Sequence, residues 1–260
     1  MPTLDVTIVQ ADLCWHDAPA NRGQFDRMID DIEGRSDLIV LPEMFTTGFS
    51  MDAPALAESM DGETVSWMID RARDVQAAIC GSVIISDGPD YLNRFICAKP
   101  DGSIITYDKR HLFRLADEHN HYTQGNSIQV FELNGFRICP MICYDLRFPA
   151  WSRNRNGNSY DLLLYVANWP SRRHNAWATL LRARAIENLS FLAGVNRVGQ
   201  DGNDLPYIGG SAIIDYLGND LADLGDKPGA ATASLDLESL QKFRDRFAFH
   251  KDADSFDLEF

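Results

Sequence analysis

Asp37-Leu38-Ile39-Val40-Leu41-Pro42-Glu43 is the stretch on which the architecture turns: four consecutive apolar residues, a proline, and a carboxylate directly beyond it. An apolar run without polar alternation reads as a strand covered on both faces, the kind that lies inside a layered α/β protein. Pro42 has no N–H to donate to a ladder, so the strand ends there and Glu43 sits at its carboxyl end. Upstream, Leu4 to Ile8 alternates as a strand, and Phe25, Met28, Ile29 and Ile32 recur at helical spacing up to Gly34. Downstream, Trp67, Met68, Ala72 and Val75 mark a helix over about 63–75, and Ala78 to Ile85 reads as another buried strand. The rhythm is βαβαβ.

It then changes. Tyr91 to Ala98, a Pro100-Asp101-Gly102 turn and Ile104 to Tyr107 predict a hairpin, with Lys109 just past its second strand. A polar, His-rich loop from His111 to Asn126 leads to a second hairpin, Ile128 to Leu133 and Phe136 to Ile142 around Asn134-Gly135, which delivers Cys143. Alternation resumes with a short helix around Pro149 to Arg155, a strand at Leu162 to Ala167, a helix from about Asn175 to Asn188 and a strand at Phe191 to Asn196. Strands at Tyr207 to Asp215 and Ala231 to Leu235 and a helix from Leu237 to Phe247 close the chain. The order predicts mixed sheets with helices on their outer faces, in a single domain over 1–260 with 248–260 as a tail. Phe256, Leu258 and Phe260 alternate in that tail, which suits an edge strand, a crossing onto a neighbouring subunit, or fraying.

With 45% hydrophobic and 24% charged residues the chain is an ordinary globule, able to fold without a partner. Its 24 basic and 38 acidic residues give a net charge of -14, which repels phosphate backbones and anionic lipid. Basic runs such as Arg172-Arg173 are too short to reverse that, so neither nucleic acid nor a membrane surface is an expected partner. Met1-Pro2-Thr3-Leu4-Asp5 lacks a basic start and apolar core, and no later run would span a bilayer, so a cytoplasmic location is expected. The five cysteines are scattered without zinc spacing, and Cys14, Cys80, Cys97 and Cys139 read as reduced, buried thiols acting as small core hydrophobes.

Glu43, Lys109 and Cys143 each follow closely on a predicted strand. Open α/β sheets collect ligands outside the carboxyl ends of their strands, so the three are candidates for one site. Cys143 leaves an apolar strand into Tyr144-Asp145-Leu146, a strand-to-helix turn that exposes a thiol and aims backbone N–H groups at it, which favours thiolate. A neutral thiol needs a base, and Glu43 is the candidate; Lys109 is placed to stabilise an oxyanion. Taken singly, each has a plain structural explanation: a packed thiol, a helix-start carboxylate and a solvated turn lysine. His111, His119 and His121 lack a tetrahedral ligand spacing, so no metal is assigned.

Read together, Leu41-Pro42-Glu43 with Gly48-Phe49, Tyr107-Asp108-Lys109-Arg110-His111-Leu112-Phe113, and Ile142-Cys143-Tyr144-Asp145-Leu146-Arg147-Phe148-Pro149 resemble the glutamate, lysine and cysteine segments of the nitrilase superfamily of carbon-nitrogen hydrolases. The resemblance runs through almost the whole chain. It implies a four-layer α-β-β-α sandwich of two mixed sheets, no cofactor, and a catalytic set in which Glu43 is the base, Lys109 supports the tetrahedral intermediate and Cys143 is acylated. The backbone N–H of Tyr144 joins the oxyanion hole in that reading. Glu118, ahead of Tyr122 and Gly125, is similar to a second glutamate of the family that positions substrate or water; Asp117 is its alternative in a shifted alignment.

Nitrilases of the superfamily usually carry Trp-Glu after the nucleophile, whereas Cys143-Tyr144-Asp145-Leu146-Arg147 resembles the omega-amidase branch, so an amide is favoured over a nitrile. Ala167-Asn168-Trp169-Pro170 and the Glu118 loop are similar to bacterial 2-oxoglutaramate amidases, with Asn168 and Trp169 walling the pocket. Arg147 matches an arginine that takes a substrate carboxylate; an ion pair with Asp145 or a dimer contact are the other readings. The resemblance also implies a homodimer through the helix after Cys143 and the helix of Trp177, Leu180, Leu181 and Leu189, residues that equally fit packing on a sheet. Two alternatives remain: an N-carbamoyl or aliphatic amide hydrolase with the same catalytic set, and a non-catalytic metabolite-binding protein.

Overall fold

A computed structural model describes residues 2–155 and 159–258. Two six-stranded sheets face one another. In the first the order is Gly229–Asp236, Thr3–Gln10, Leu38–Val40, Ala78–Asp87, Asp90–Ala98 and Ile104–Asp108. In the second it is Asp220–Asp223, Ala212–Ile214, Phe191–Val195, Leu162–Val166, Phe136–Ile142 and Phe131–Leu133. Each sheet has three parallel strands at its centre and antiparallel strands at its margins.

Side-chain alternation sorts the core. Leu4, Val6, Ile8, Leu38, Val40, Cys80, Phe95 and Cys97 point from the first sheet into a cluster shared with Ile138, Leu162, Leu164 and Val195 of the second. The intervening Val9, Ile39, Leu41, Ile79 and Ile96 face the other way, onto Phe25 and Ile29 of helix Ala18–Asp30 and Val65, Met68 and Ala72 of helix Glu63–Val75. The apolar run at Leu38–Leu41 is therefore covered on both faces, as its pattern requires. Helix His174–Asn188 covers the second sheet with Trp177, Leu181 and Ala185, giving the α-β-β-α layering.

Several local expectations are corrected. Cys80, Cys97 and Cys139 are buried as expected, whereas Cys14 is exposed, in the loop between the first strand and helix Ala18–Asp30. Phe131–Leu133 is shorter than the predicted 128–133 strand. No helix forms over 149–155; a five-residue 3-10 turn, Cys143–Arg147, precedes an irregular stretch that Pro149 cannot continue as helix. The single strand expected over 207–215 is two, Pro206–Ile208 and Ala212–Ile214, separated by Gly209 and Gly210 at φ 68° and 76°. A side chain at Gly209 would meet the Gln10 amide at 2.3 Å, so the break is built in. Of the helix residues that suited either a subunit contact or sheet packing, Trp177 and Leu181 are buried in the core against the second sheet and Leu180 packs partly on it, while Leu189 is buried at the helix end. Among its described residues the tail forms no strand: Arg155 donates to the carbonyl of Phe256 at 3.0 Å and lies over its ring, while Phe260 falls outside the described residues.

Candidate active site

Glu43 follows Leu38–Val40 and Lys109 follows Ile104–Asp108 on the first sheet, whereas Cys143 follows Phe136–Ile142 on the second. The carboxyl ends meet across the inter-sheet space. Lys109 Nζ donates to Glu43 Oε1 at 2.8 Å and to both oxygens of Glu118 at 2.9 Å. Glu43 and Glu118 are fully buried and Lys109 is 1% exposed, so three charges have been taken from water at a cost of several kcal/mol per ion before their attraction is counted. Such a cluster is a weak device for stability and a strong one for electrostatics in a dry pocket. Asp117, the alternative to Glu118, is at the surface, in a left-handed conformation that turns the chain so that Glu118 points inward.

Glu43 is held by acceptor contacts only. Its Oε1 takes the Asn93 amide at 2.8 Å as well as Lys109, and its Oε2 takes the backbone N–H of Asn168 at 2.7 Å. The Asn168 side chain returns a hydrogen bond to the Glu43 carbonyl at 2.5 Å. Glu118 likewise accepts from Lys109 and from the Phe113 N–H at 2.6 Å. Burial alone would lower the pKa of the Lys109 ammonium; the carboxylates of Glu118 and Glu43 outweigh it and hold the group above the ordinary lysine value. Burial raises the Glu118 pKa above the usual carboxylate value, against the lowering influence of Lys109.

Cys143 has φ 43°, a left-handed conformation that an L-residue holds at about 1–3 kcal/mol and only when its surroundings impose it. Asp145 imposes it. Its buried carboxylate accepts from the Ile142 N–H at 3.0 Å, Tyr107 Oη at 2.7 Å and the His111 N–H at 2.9 Å, binding the cysteine turn to the lysine segment. His111 stacks on Phe148 at 3.7 Å with Nδ1 2.7 Å from Asp145 Oδ1. Among the described residues no cluster of His, Cys, Asp and Glu is arranged to hold a metal.

The turn was expected to favour thiolate, and the electrostatics run the other way. Burial, with the Glu43 carboxylate second, pushes the Cys143 thiol well above its usual value despite Lys109. No α-helix starts at the turn to supply a dipole. That direction favours the thiol over the thiolate, so attack calls for a base to take the sulfur's proton.

Cys143 is 9% exposed and lines a cavity of about 580 Å3, together with Lys109, Tyr144, Arg147, Asn168 and Trp169. Tyr144 packs edge-on against Phe113 and Phe148, and the Arg147 guanidinium lies 5.0 Å from the Trp169 ring centre. Asp145 has its partners elsewhere, so the ion pair considered for Arg147 does not form.

Asn93 was not legible as a site residue. Phe95 and Cys97, on the same face of its strand, sit in the apolar inter-sheet core, and an amide on that face was the available signal. Its Oδ1 accepts from Ser82 Oγ at 2.8 Å, and Ser82 Oγ accepts the N–H of Met44 at 2.9 Å, which fixes the amide so that Nδ2 must face Glu43. Asn93→Ala is expected to lower kcat about 10- to 100-fold with KM little changed, through loss of a hydrogen bond to a buried charge. Steady-state kinetics check it, and a variant with undiminished kcat removes Asn93 from the site.

Two facing sheets whose strand ends bring a carboxylate, an ammonium and a thiol together, with the ammonium and the thiol lining one cavity, define a hydrolase class of site. The chain belongs to the carbon-nitrogen hydrolase family, whose model matches residues 5–245. It is 48% identical over 259 residues to omega-amidase YafV of Escherichia coli strain K12, covering 99% of this chain and 100% of the relative. It is 34% identical over 243 residues to 2-oxoglutaramate amidase of Bacillus subtilis strain 168, covering 92% and 93%. The crystal structure of a CN-hydrolase superfamily protein from Xanthomonas campestris, with an arsenic adduct in its active site, matches with a TM-score of 0.97 and 46% identity over 100% of both chains.

Proposed function

We propose that this single-domain enzyme hydrolyses the terminal amide of a small 2-oxo dicarboxylic acid monoamide, such as 2-oxoglutaramate or 2-oxosuccinamate, through a thioester on Cys143. The observation that carries the reading is the Glu43, Lys109 and Glu118 cluster beside a thiol that opens onto a cavity. Glu43 has its acceptor atoms turned to donors and is the base that takes the thiol proton as sulfur bonds the amide carbon. Lys109 and the Tyr144 N–H stabilise the oxyanion, which collapses as the proton on Glu43 passes to the leaving ammonia. Water, deprotonated by Glu43, then attacks the thioester; the acid leaves and the proton returns to sulfur. Glu118 holds the ammonium in position with two further bonds.

Arg147 supports the choice of an anionic substrate, since its guanidinium lines the cavity and, among the described residues, carries no ion pair. The relatives named omega-amidase and 2-oxoglutaramate amidase support it independently. Ammonia release from 2-oxoglutaramate, 2-oxosuccinamate, N-carbamoyl amino acids and aliphatic amides tests it. A kcat/KM at least about tenfold higher for the oxo-acid amides is expected, and preference for either of the other groups overturns the reading.

The same proposal places the enzyme in the cytoplasm as a homodimer. No helix among the described residues is long and apolar enough to cross a membrane. On the outer side of helix His174–Asn188, Ile186 is exposed beside the exposed Leu217, an apolar spot that a second subunit would cover. A monomer mass by light scattering of the assayed preparation removes the dimer.

A further inference from the structure

We propose that Arg173 is a second specificity-determining guanidinium, reading with Arg147 the carboxylate and adjacent 2-oxo oxygen of an oxo-acid amide. The inference rests on the amidase reading above and names which residue, beyond Arg147, selects the acyl group.

Arg173 lines the same cavity as Cys143 and Arg147. Its guanidinium lies 5.0 Å from the Phe113 ring centre, just as that of Arg147 lies 5.0 Å from Trp169. Two arginines seated on aromatic faces keep their donor edges for a ligand, because ring contact uses the flat face of the guanidinium and leaves the in-plane N–H groups unspent. Trp169 joins the two structurally. Its ring carries Arg147, and its indole N–H donates to the Arg173 carbonyl at 2.8 Å. The Trp169 backbone is itself fixed, its N–H donating to Asn196 and its carbonyl accepting from the same amide.

Charge gives a second, independent argument. In a chain with 38 acidic and 24 basic residues, a guanidinium easily finds a carboxylate, and Arg22, Arg94, Arg182 and Arg244 have done so. Among the described residues neither Arg147 nor Arg173 has an ion pair. Asp201, which also lines the cavity, has its carboxylate taken by Tyr207 Oη and the N–H groups of Asn203 and Leu205. Arg173 also stands at the N-terminal end of helix His174–Asn188, whose first turn has no acidic residue. The helix dipole opposes a cation there, so this placement is unfavourable for the empty protein and is offset when an anion binds between the guanidinium and the helix end. A net charge of -14 steers anions away over long range, and two unneutralised cations inside the cleft are what reverse the local potential.

The experiment compares wild type, Arg173→Gln and Arg173→Lys on three amides of similar length: 2-oxoglutaramate, glutaramate, which keeps the carboxylate without the 2-oxo oxygen, and pentanamide, which has neither. The ratio of kcat/KM for 2-oxoglutaramate to that for pentanamide is expected to fall about 10- to 100-fold in Arg173→Gln, with the loss carried by KM. Arg173→Lys keeps the charge without the planar fork and recovers part of the ratio, which also covers the case in which the glutamine variant fails to fold. A ratio unchanged in both variants, whether their rates stay the same or fall together on all three amides, overturns the assignment. If wild type itself shows no preference for the two anionic amides, the parent reading falls as well; if it prefers them and the variants do too, only Arg173 is lost.

Discussion

Cys143→Ala is expected to lower kcat by about four orders of magnitude or more while leaving the fold in place. Deleting a nucleophile removes the acyl-enzyme pathway itself, and no neighbouring group takes its place: Glu43 and Glu118 have their oxygens committed to Lys109 and other donors. The structural cost is small, because the sulfur faces a cavity and alanine gives up the thiol's hydrogen bond to the Glu43 carboxylate and a long approach to the Asn168 carbonyl at 3.9 Å, while the Glu43 oxygens keep their other donors. The left-handed backbone at residue 143 is equally strained for cysteine and alanine. The melting temperature should therefore stay within about 3 °C of wild type. Ammonia release and intact-protein mass during turnover check both halves. An acyl increment on the Cys143 peptide is expected in the parent and absent in the variant. Turnover surviving in the variant, or an acyl group on another side chain, removes cysteine from the mechanism.

Lys109→Met is expected to damage activity and stability together. The side chain is of similar length, but the variant leaves Glu43 and Glu118 buried without the ammonium they share. Removing one partner of a buried ion cluster costs about 3–5 kcal/mol, which in a chain of this size lowers the melting temperature by roughly 6–20 °C. The loss should depend on pH. Burial already holds Glu118 above the usual carboxylate value, and Lys109 is the main influence opposing it. Without the ammonium the folded-state value rises further, so the native variant binds a proton more tightly than its unfolded chain. Stability contributed in this way is present below the ordinary carboxylate range and is lost as pH rises through the folded-state value. The deficit relative to wild type is thus largest at neutral pH and shrinks on acidification. Activity should fall about 10^3-fold or more at any pH, since the oxyanion loses its cation. Thermal melts from pH 4 to 8 decide the matter; a deficit that stays constant or grows toward acid contradicts the charge arrangement.

Both variants test residues that stood out in the sequence by their place after a strand as well as by the motifs around them. Apolar runs and turn residues mark strand ends, because backbone pairing and burial are repeated at short, fixed spacing along the chain. That is why Leu38–Val40, Ile104–Asp108 and Phe136–Ile142, and the reactive groups behind them, were legible. Local signals failed where the chain departs from regular repetition. The helix expected over 149–155 is absent, and the glycine break at 209–210 divides what read as one strand.

The sequence by itself determined the layered α/β architecture, the family and the three side chains offered at strand ends, since each follows from patterning or from contiguous motifs. Only the tertiary structure decided the rest. It brought Glu43 within 2.8 Å of Asn93 and 2.7 Å of Asn168, partners 50 and 125 residues away. It gave Asp145 to Tyr107 and His111 and so left Arg147 open to the cavity, and it set Arg173 on Phe113 beside the same space. The physical reason is that hydrogen bonds and charge pairing are satisfied by whichever partner the packed sheets bring near, and nothing in the local order of residues records which partner that is.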